Sequence, residues 1–130
     1  MFGDGTQTRD FTYVSDTAAG ILAAGEHDAT VGETVNLGSG AEITINDLAR
    51  IIGRVTGKPA PVEHDVPRPG DVLRLYADVA RATALLGHRP AVSLEDGIRR
   101  LMAWYAASGV DPATLLAQEV VHNWTIPQPQ

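Results

Sequence analysis

Arg9 and Arg68 are the residues whose chemistry stands out first. Each sits beside turn-forming residues within an otherwise extended segment, Arg9 in GDGTQTRDFTYV and Arg68 in VPRPGD. A guanidinium offers a planar fork of donors, and two of them on separate loops could clamp one diphosphate. Pro67 and Pro69 stiffen the backbone around Arg68, so its side chain is presented at low entropic cost. Asp71, three residues on, could accept from a sugar or ribose hydroxyl. The local alternative pairs Arg9 with Asp10 or Asp16, and Arg68 with Asp65 or Asp71. Spacing alone favours that alternative.

Other chemistries find less support. His27, His64, His88 and His122 stand at no ligand spacing, and His64-Asp65 is the nearest approach to a metal site. No G-x-S-x-G elbow accompanies Ser15 or Ser39. Gly38-Ser39-Gly40 has the context of a dinucleotide turn, but Ile43 stands where the third glycine would be. It reads as a strand-to-helix connection. Lys58, the sole lysine, precedes Pro59 and belongs to no P-loop.

The elements that must carry these residues follow from pattern. Residues 3–8 read as a turn and 9–14 as a short strand. Asp16 is placed to cap a helix over 17–26, and 34–37 read as a strand. Thr44 and Asp47 form an approximate capping box before a helix whose Ile45, Leu48, Ile51, Ile52 and Val55 share a face. Gly57 closes it. Residues 62–77 read as extended. Asp78 is placed to cap a helix ending at Gly87, and Ser93 with Asp96 to open another over 94–108. Asp111-Pro112 starts a further helical stretch to about 120, followed by a flexible tail. The expected class is therefore α/β, with few short strands and four to five helices. The strands are few enough to imply that part of a larger sheet lies elsewhere.

The bulk numbers fit one domain. The 130 residues are 44% hydrophobic and 20% charged, with a formal net charge of −6. That balance argues against non-specific nucleic-acid binding. No run approaches the ~20 apolar residues of a membrane helix. The chain has no cysteine, which fits a reducing, cytoplasmic setting.

Several segments resemble, in order, the C-terminal part of the extended short-chain dehydrogenases, the NAD-dependent epimerases and dehydratases of nucleotide sugars. They are GDGTQTRDFTYVSDTAAGILAA, TVNLGSG, ITINDLARIIGRVTGKP and RPGDVLRLYADVARATALLGHRPAVSLEDGIRRLMAWY. The resemblance implies that Arg9 and Arg68 reach the diphosphate of a nucleoside diphosphate sugar and that Asp71 contacts the nucleoside. Gln7 is carried over as a weaker contact. Asp16, Asn36 and Asp78 match recurring family positions read as structural. The family's glycine-rich NAD loop and Tyr-x-x-x-Lys are absent here, since Tyr13, Tyr76 and Tyr105 are followed four residues later by Thr17, Ala80 and Gly109. The resemblance therefore implies a binding region over 1–108 with no cofactor of its own, inactive alone, and a helical extension over 109–130. It also implies that helix 17–26 and strand 34–37 expose apolar surface, to be covered by a missing Rossmann half or by a homo-oligomer. The alternative is an interaction or oligomerisation protein derived from the family, with 109–130 as the place to look.

Overall fold

A computed structural model describes residues 1–59 and 61–120. Three two-residue strands form its sheet: β1 (Thr8–Arg9), β2 (Ile43–Thr44) and β3 (Arg74–Leu75). The order is β2-β1-β3, with β2 antiparallel and β3 parallel to β1. Thr8 pairs with Thr44 on one side and Arg74 on the other. Around the sheet lie α1 (Val14–Glu26), α2 (Ile45–Thr56), α3 (Ala80–Leu86), α4 (Leu94–Ser108) and α5 (Pro112–Ala117). Helix α2 packs on α4 and α1 on α3. The expected α/β class with few strands is the one observed.

Local chemistry explains the helix ends. The Thr44 hydroxyl accepts from the Asp47 N–H at 3.0 Å, and the Ser93 hydroxyl from the Asp96 N–H at 3.2 Å. Each satisfies one of the orphan donors at a helix start. Gly57, Gly87 and Gly109 close α2, α3 and α4 in the left-handed region, as the pattern required. Asp111 opens α5 through the Ala113 N–H.

Four expectations change. The strand over 9–14 shrinks to Thr8–Arg9 because its neighbours are two residues long; the Asp10 N–H to Leu75 carbonyl bond, 3.1 Å, is the last rung. Residues 34–37 form no ladder with any described residue, so they are not a strand. Asp16 does not cap α1. It is the third residue of that helix, 6% exposed, and its carboxylate accepts from the N–H groups of Ala91 and Val92 at 3.1 and 3.0 Å. The carboxylate ties α1 to the entrance of α4, and the helix starts at Val14 without a side-chain cap. Asp78 stands one residue before the cap position, which is Val79, yet still accepts from the Ala80 N–H at 3.0 Å. The flexible end of the tail expected from the sequence lies largely outside the described residues.

The interior is thin. Among the described residues, Ala82 is the one fully buried apolar side chain and Asp16 the one buried charge. Tight contacts are made instead by glycine. A Cβ at Gly20 would come within 2.8 Å of both Leu37 methyls, so Leu37 lies directly on α1. With so little apolar burial, the paired N–H groups at Asp16 should matter unusually. Asp16→Ala leaves two of them without an acceptor and is expected to cost about 2–3 kcal/mol, read as a lowered urea midpoint at unchanged m-value.

Candidate functional site

The residues singled out by sequence lie around the β1–β3 pairing. In the Arg68-Pro69-Gly70-Asp71 turn, the Asp71 N–H donates to the Arg68 carbonyl at 3.1 Å. Gly70 has φ +77°, the value a type II turn demands after proline, and a residue with a Cβ would be strained there. The sequence Pro-Gly thus fixes where Arg68 and Asp71 leave the backbone. β3 follows this turn, and its parallel pairing with β1 brings the turn beside Arg9.

Gln7, Arg68 and Asp71 line one cleft of 690 Å³, together with Phe2, Asp4 and His64 among others. Arg9 lines a separate cleft of 480 Å³ with Asn36, Gly38 and Tyr76. It is nevertheless joined to the first. Its Nη2 forms an ion pair with Asp71, while Nη1 donates to the carbonyls of Thr8 at 2.6 Å and Val72 at 2.8 Å. Neither of the local pairings weighed for Arg9 is present: its carboxylate comes from the other candidate turn. Gln7 donates through Nε2 to the Phe2 carbonyl at 3.0 Å, which leaves its amide oxygen for other partners. His64 contacts the Gly3 carbonyl through Nδ1 at 2.8 Å. A carbonyl only accepts, so Nδ1 carries the proton. Phe2 and Asp4 carried no binding signal in sequence, and His64 only that of a weak metal ligand, because it is long-range pairing of residues 1–3 with 63–65 that sets the two segments side by side.

Asp10 has a different task from its neighbour Arg9. Its carboxylate accepts from the N–H groups of Ser39 at 2.8 Å, Gly40 at 3.0 Å and Ala77 at 3.3 Å. Burial pushes its pKa up, but hydrogen bonds from Ser39, Ala77 and Gly40 outweigh that and hold it below the ordinary 3.8. Gly38 is needed for the approach, since a Cβ there would lie 2.5 Å from the Ala77 Cβ and 2.7 Å from Asp10 Oδ2.

This geometry also tests the loop against a dinucleotide. In such sites the loop N–H groups point at a pyrophosphate. Here those of Ser39 and Gly40 point at an internal carboxylate, whose negative charge would repel one. The loop does not fit NAD, and the 130 residues contain no Tyr-x-x-x-Lys. Among the described residues there is also no group of three His, Asp or Glu able to hold a metal ion, and no helix is long and apolar enough to cross a membrane.

The profile of the GDP-mannose 4,6 dehydratase family matches residues 1–101. The chain belongs to that family. It is 41% identical over 104 residues to a putative UDP-glucose 4-epimerase of Methanocaldococcus jannaschii, covering 80% of this chain and 33% of that protein. It is 41% identical over 106 residues to a UDP-glucuronate 4-epimerase of Thermodesulfobacterium geofontis, covering 80% and 32%. Among solved structures, an epimerase of Methanothermobacter thermautotrophicus superposes with a TM-score of 0.78 at 37% identity, over 83% of this chain and 32% of that one. The UDP-glucuronic acid 4-epimerase of Bacillus cereus, in complex with UDP-glucuronic acid and NAD, gives a TM-score of 0.77 at 36% identity, over 83% and 35%. The chain spans about a third of the length of these relatives. The epimerase and dehydratase resemblance read from the motifs is confirmed.

The Asp10 geometry yields a pH-dependent expectation. A carboxylate whose pKa is depressed by folding adds stability that is complete above its unfolded value and is lost as pH falls through the folded one. Asp10→Asn should therefore cost about 1–3 kcal/mol at pH 7. The gap to the parent should close below the ordinary value of 3.8. Urea melts followed by circular dichroism across acid pH measure it, and a gap independent of pH would contradict the assignment.

Proposed function

We propose that this chain supplies the nucleotide-sugar-binding region of an NAD-dependent epimerase or dehydratase. Arg9 and Arg68 bind the diphosphate, Asp71 accepts from a nucleoside hydroxyl, and Gln7 lies at the margin. The observation that carries the reading is the ion pair that joins Arg9 to Asp71 across the β1–β3 pairing, beside the cleft lined by Gln7, Arg68 and Asp71. The relatives support it, since the Bacillus cereus structure holds UDP-glucuronic acid and NAD. The hydride chemistry of such enzymes belongs to NAD and to a tyrosine-lysine pair that these residues lack. The 130 residues are thus a binding region, catalytically silent by themselves.

Calorimetry with UDP-, dTDP- and GDP-sugars tests the reading. Binding is expected in the high-micromolar to millimolar range, on the order of −4 to −6 kcal/mol. Arg68→Gln should weaken it about tenfold, the usual scale for one charge-assisted hydrogen bond. Failure of every nucleotide sugar at millimolar concentration would contradict it.

A second reading is favoured by a specific observation. Ile21 and Leu22 on α1 are 60% and 66% exposed, and Trp104 on α4 is 59% exposed. Faces of this kind are docking surfaces, for the remainder of such an enzyme or for a second copy. The 130-residue chain is accordingly expected to self-associate with rising concentration. Sedimentation as a clean monomer at high concentration would remove this reading. A truncation lacking residues 109–130 tests whether that extension contributes.

A further inference from the structure

We propose that Asp71 makes the cleft select against bare phosphate anions, so that a ligand must bring neutral hydroxyl groups together with its phosphates. The proposal rests on the nucleotide-sugar reading and adds the basis on which the cleft chooses among anions.

The charges argue for it. Asp4, Asp65 and Asp71 line the cleft against Arg68, so carboxylates outnumber guanidiniums on its walls. Arg9 does not reverse the balance. Both Nη1 hydrogens are directed at the carbonyls of Thr8 and Val72, and Nη2 already faces Asp71. A phosphate approaching Arg9 therefore meets the Asp71 charge within a few ångströms, and like charges at that range lower affinity several-fold even in a water-like dielectric. The Asp71 N–H closes the turn on the Arg68 carbonyl and so fixes the backbone, and the carboxylate itself is held by its ion pair with Arg9.

A hydroxyl-bearing ligand changes the sign. Asp71 meets Arg9 through Oδ1. Its second oxygen can accept from a neutral hydroxyl, which gains a charge-assisted hydrogen bond and no repulsion. Phosphate alone pays the repulsion, whereas phosphate joined to a polyol offsets it. The holding of Arg9 does not depend on Asp71, since two backbone carbonyls fix its Nη1. Removing the carboxylate should thus free charge for an anion without dislodging the guanidinium.

The probes are inorganic pyrophosphate and a UDP-sugar, titrated against the 130-residue chain and its Asp71→Asn and Asp71→Ser variants at low and high salt. Pyrophosphate affinity is expected to rise about fivefold in both variants, with the gain shrinking at high salt as a charge effect must. Affinity for the UDP-sugar should stay level or fall, narrowing the preference for it. Pyrophosphate affinity that is unchanged, lower or unmeasurable in both variants would overturn the proposal, as would a gain insensitive to salt. Failure of the nucleotide-sugar reading shows separately, as a parent chain that binds no UDP-, dTDP- or GDP-sugar whatever the variants do with pyrophosphate.

Discussion

The carboxylate of Asp10 is the interaction on which the rest of the arrangement depends. Three backbone N–H groups converge on it, from Ser39, Gly40 and Ala77. Those residues belong to segments widely separated in sequence, and the sheet that unites them has only two-residue strands. Ladder bonds that few cannot set the position of two long loops. A single ionised acceptor with several lone-pair sites can, because each bond to it is charge-assisted and each N–H would otherwise be unpaired. Asp10 also follows Arg9 directly. Fixing the carboxylate fixes the end of β1, and with it the root of the side chain that meets Asp71.

Asp16 repeats the device six residues later. Its buried carboxylate binds two N–H groups at the entrance of α4. Both aspartates lie in the one segment RDFTYVSD, so a single stretch holds the 38–40 loop, the residues after β3 and the start of α4. Hydrophobic burial does not replace these bonds, given how few side chains are fully enclosed. The chain is organised by carboxylates binding backbone, with glycine at the points where backbone must come close. Gly38 under Asp10 and Gly20 under Leu37 are such points.

Much of this was legible in sequence where the cause is local. The Thr44 and Ser93 caps, the glycine stops and the apolar face of α2 depend on residues within one or two turns, and all are found where the pattern placed them. The Arg-Pro-Gly-Asp turn is equally local, since proline and glycine set its dihedrals themselves. Expectations changed where the cause was distant. Asp16 has the composition of a helix cap, but two N–H groups more than seventy residues away claim its carboxylate. Residues 34–37 have the composition of a strand, yet a strand requires a neighbour's backbone, which the described residues do not provide. The Arg9–Asp71 ion pair was hidden for the same reason: each residue had nearer partners in sequence, and only the parallel pairing of β1 with β3 made the distant one nearest.

That pairing also changes what the two arginines can be said to do. Read as motifs, Arg9 and Arg68 are equivalent positive charges awaiting a diphosphate. In the fold they are unequal. Arg68 lines the larger cleft itself, on a turn whose shape is set by proline and glycine. Arg9 lines a separate cleft and reaches the first through a carboxylate, its Nη1 donors already spent on backbone carbonyls. A guanidinium so engaged is held in place at little further entropic cost, but its charge is partly answered before any ligand arrives. Under the proposed nucleotide-sugar reading, affinity for an anion and orientation of a ligand are distributed over different residues. On that reading Arg68 meets a phosphate from its turn, and the Arg9–Asp71 pair offers a donor beside an acceptor to a phosphate and a neutral hydroxyl.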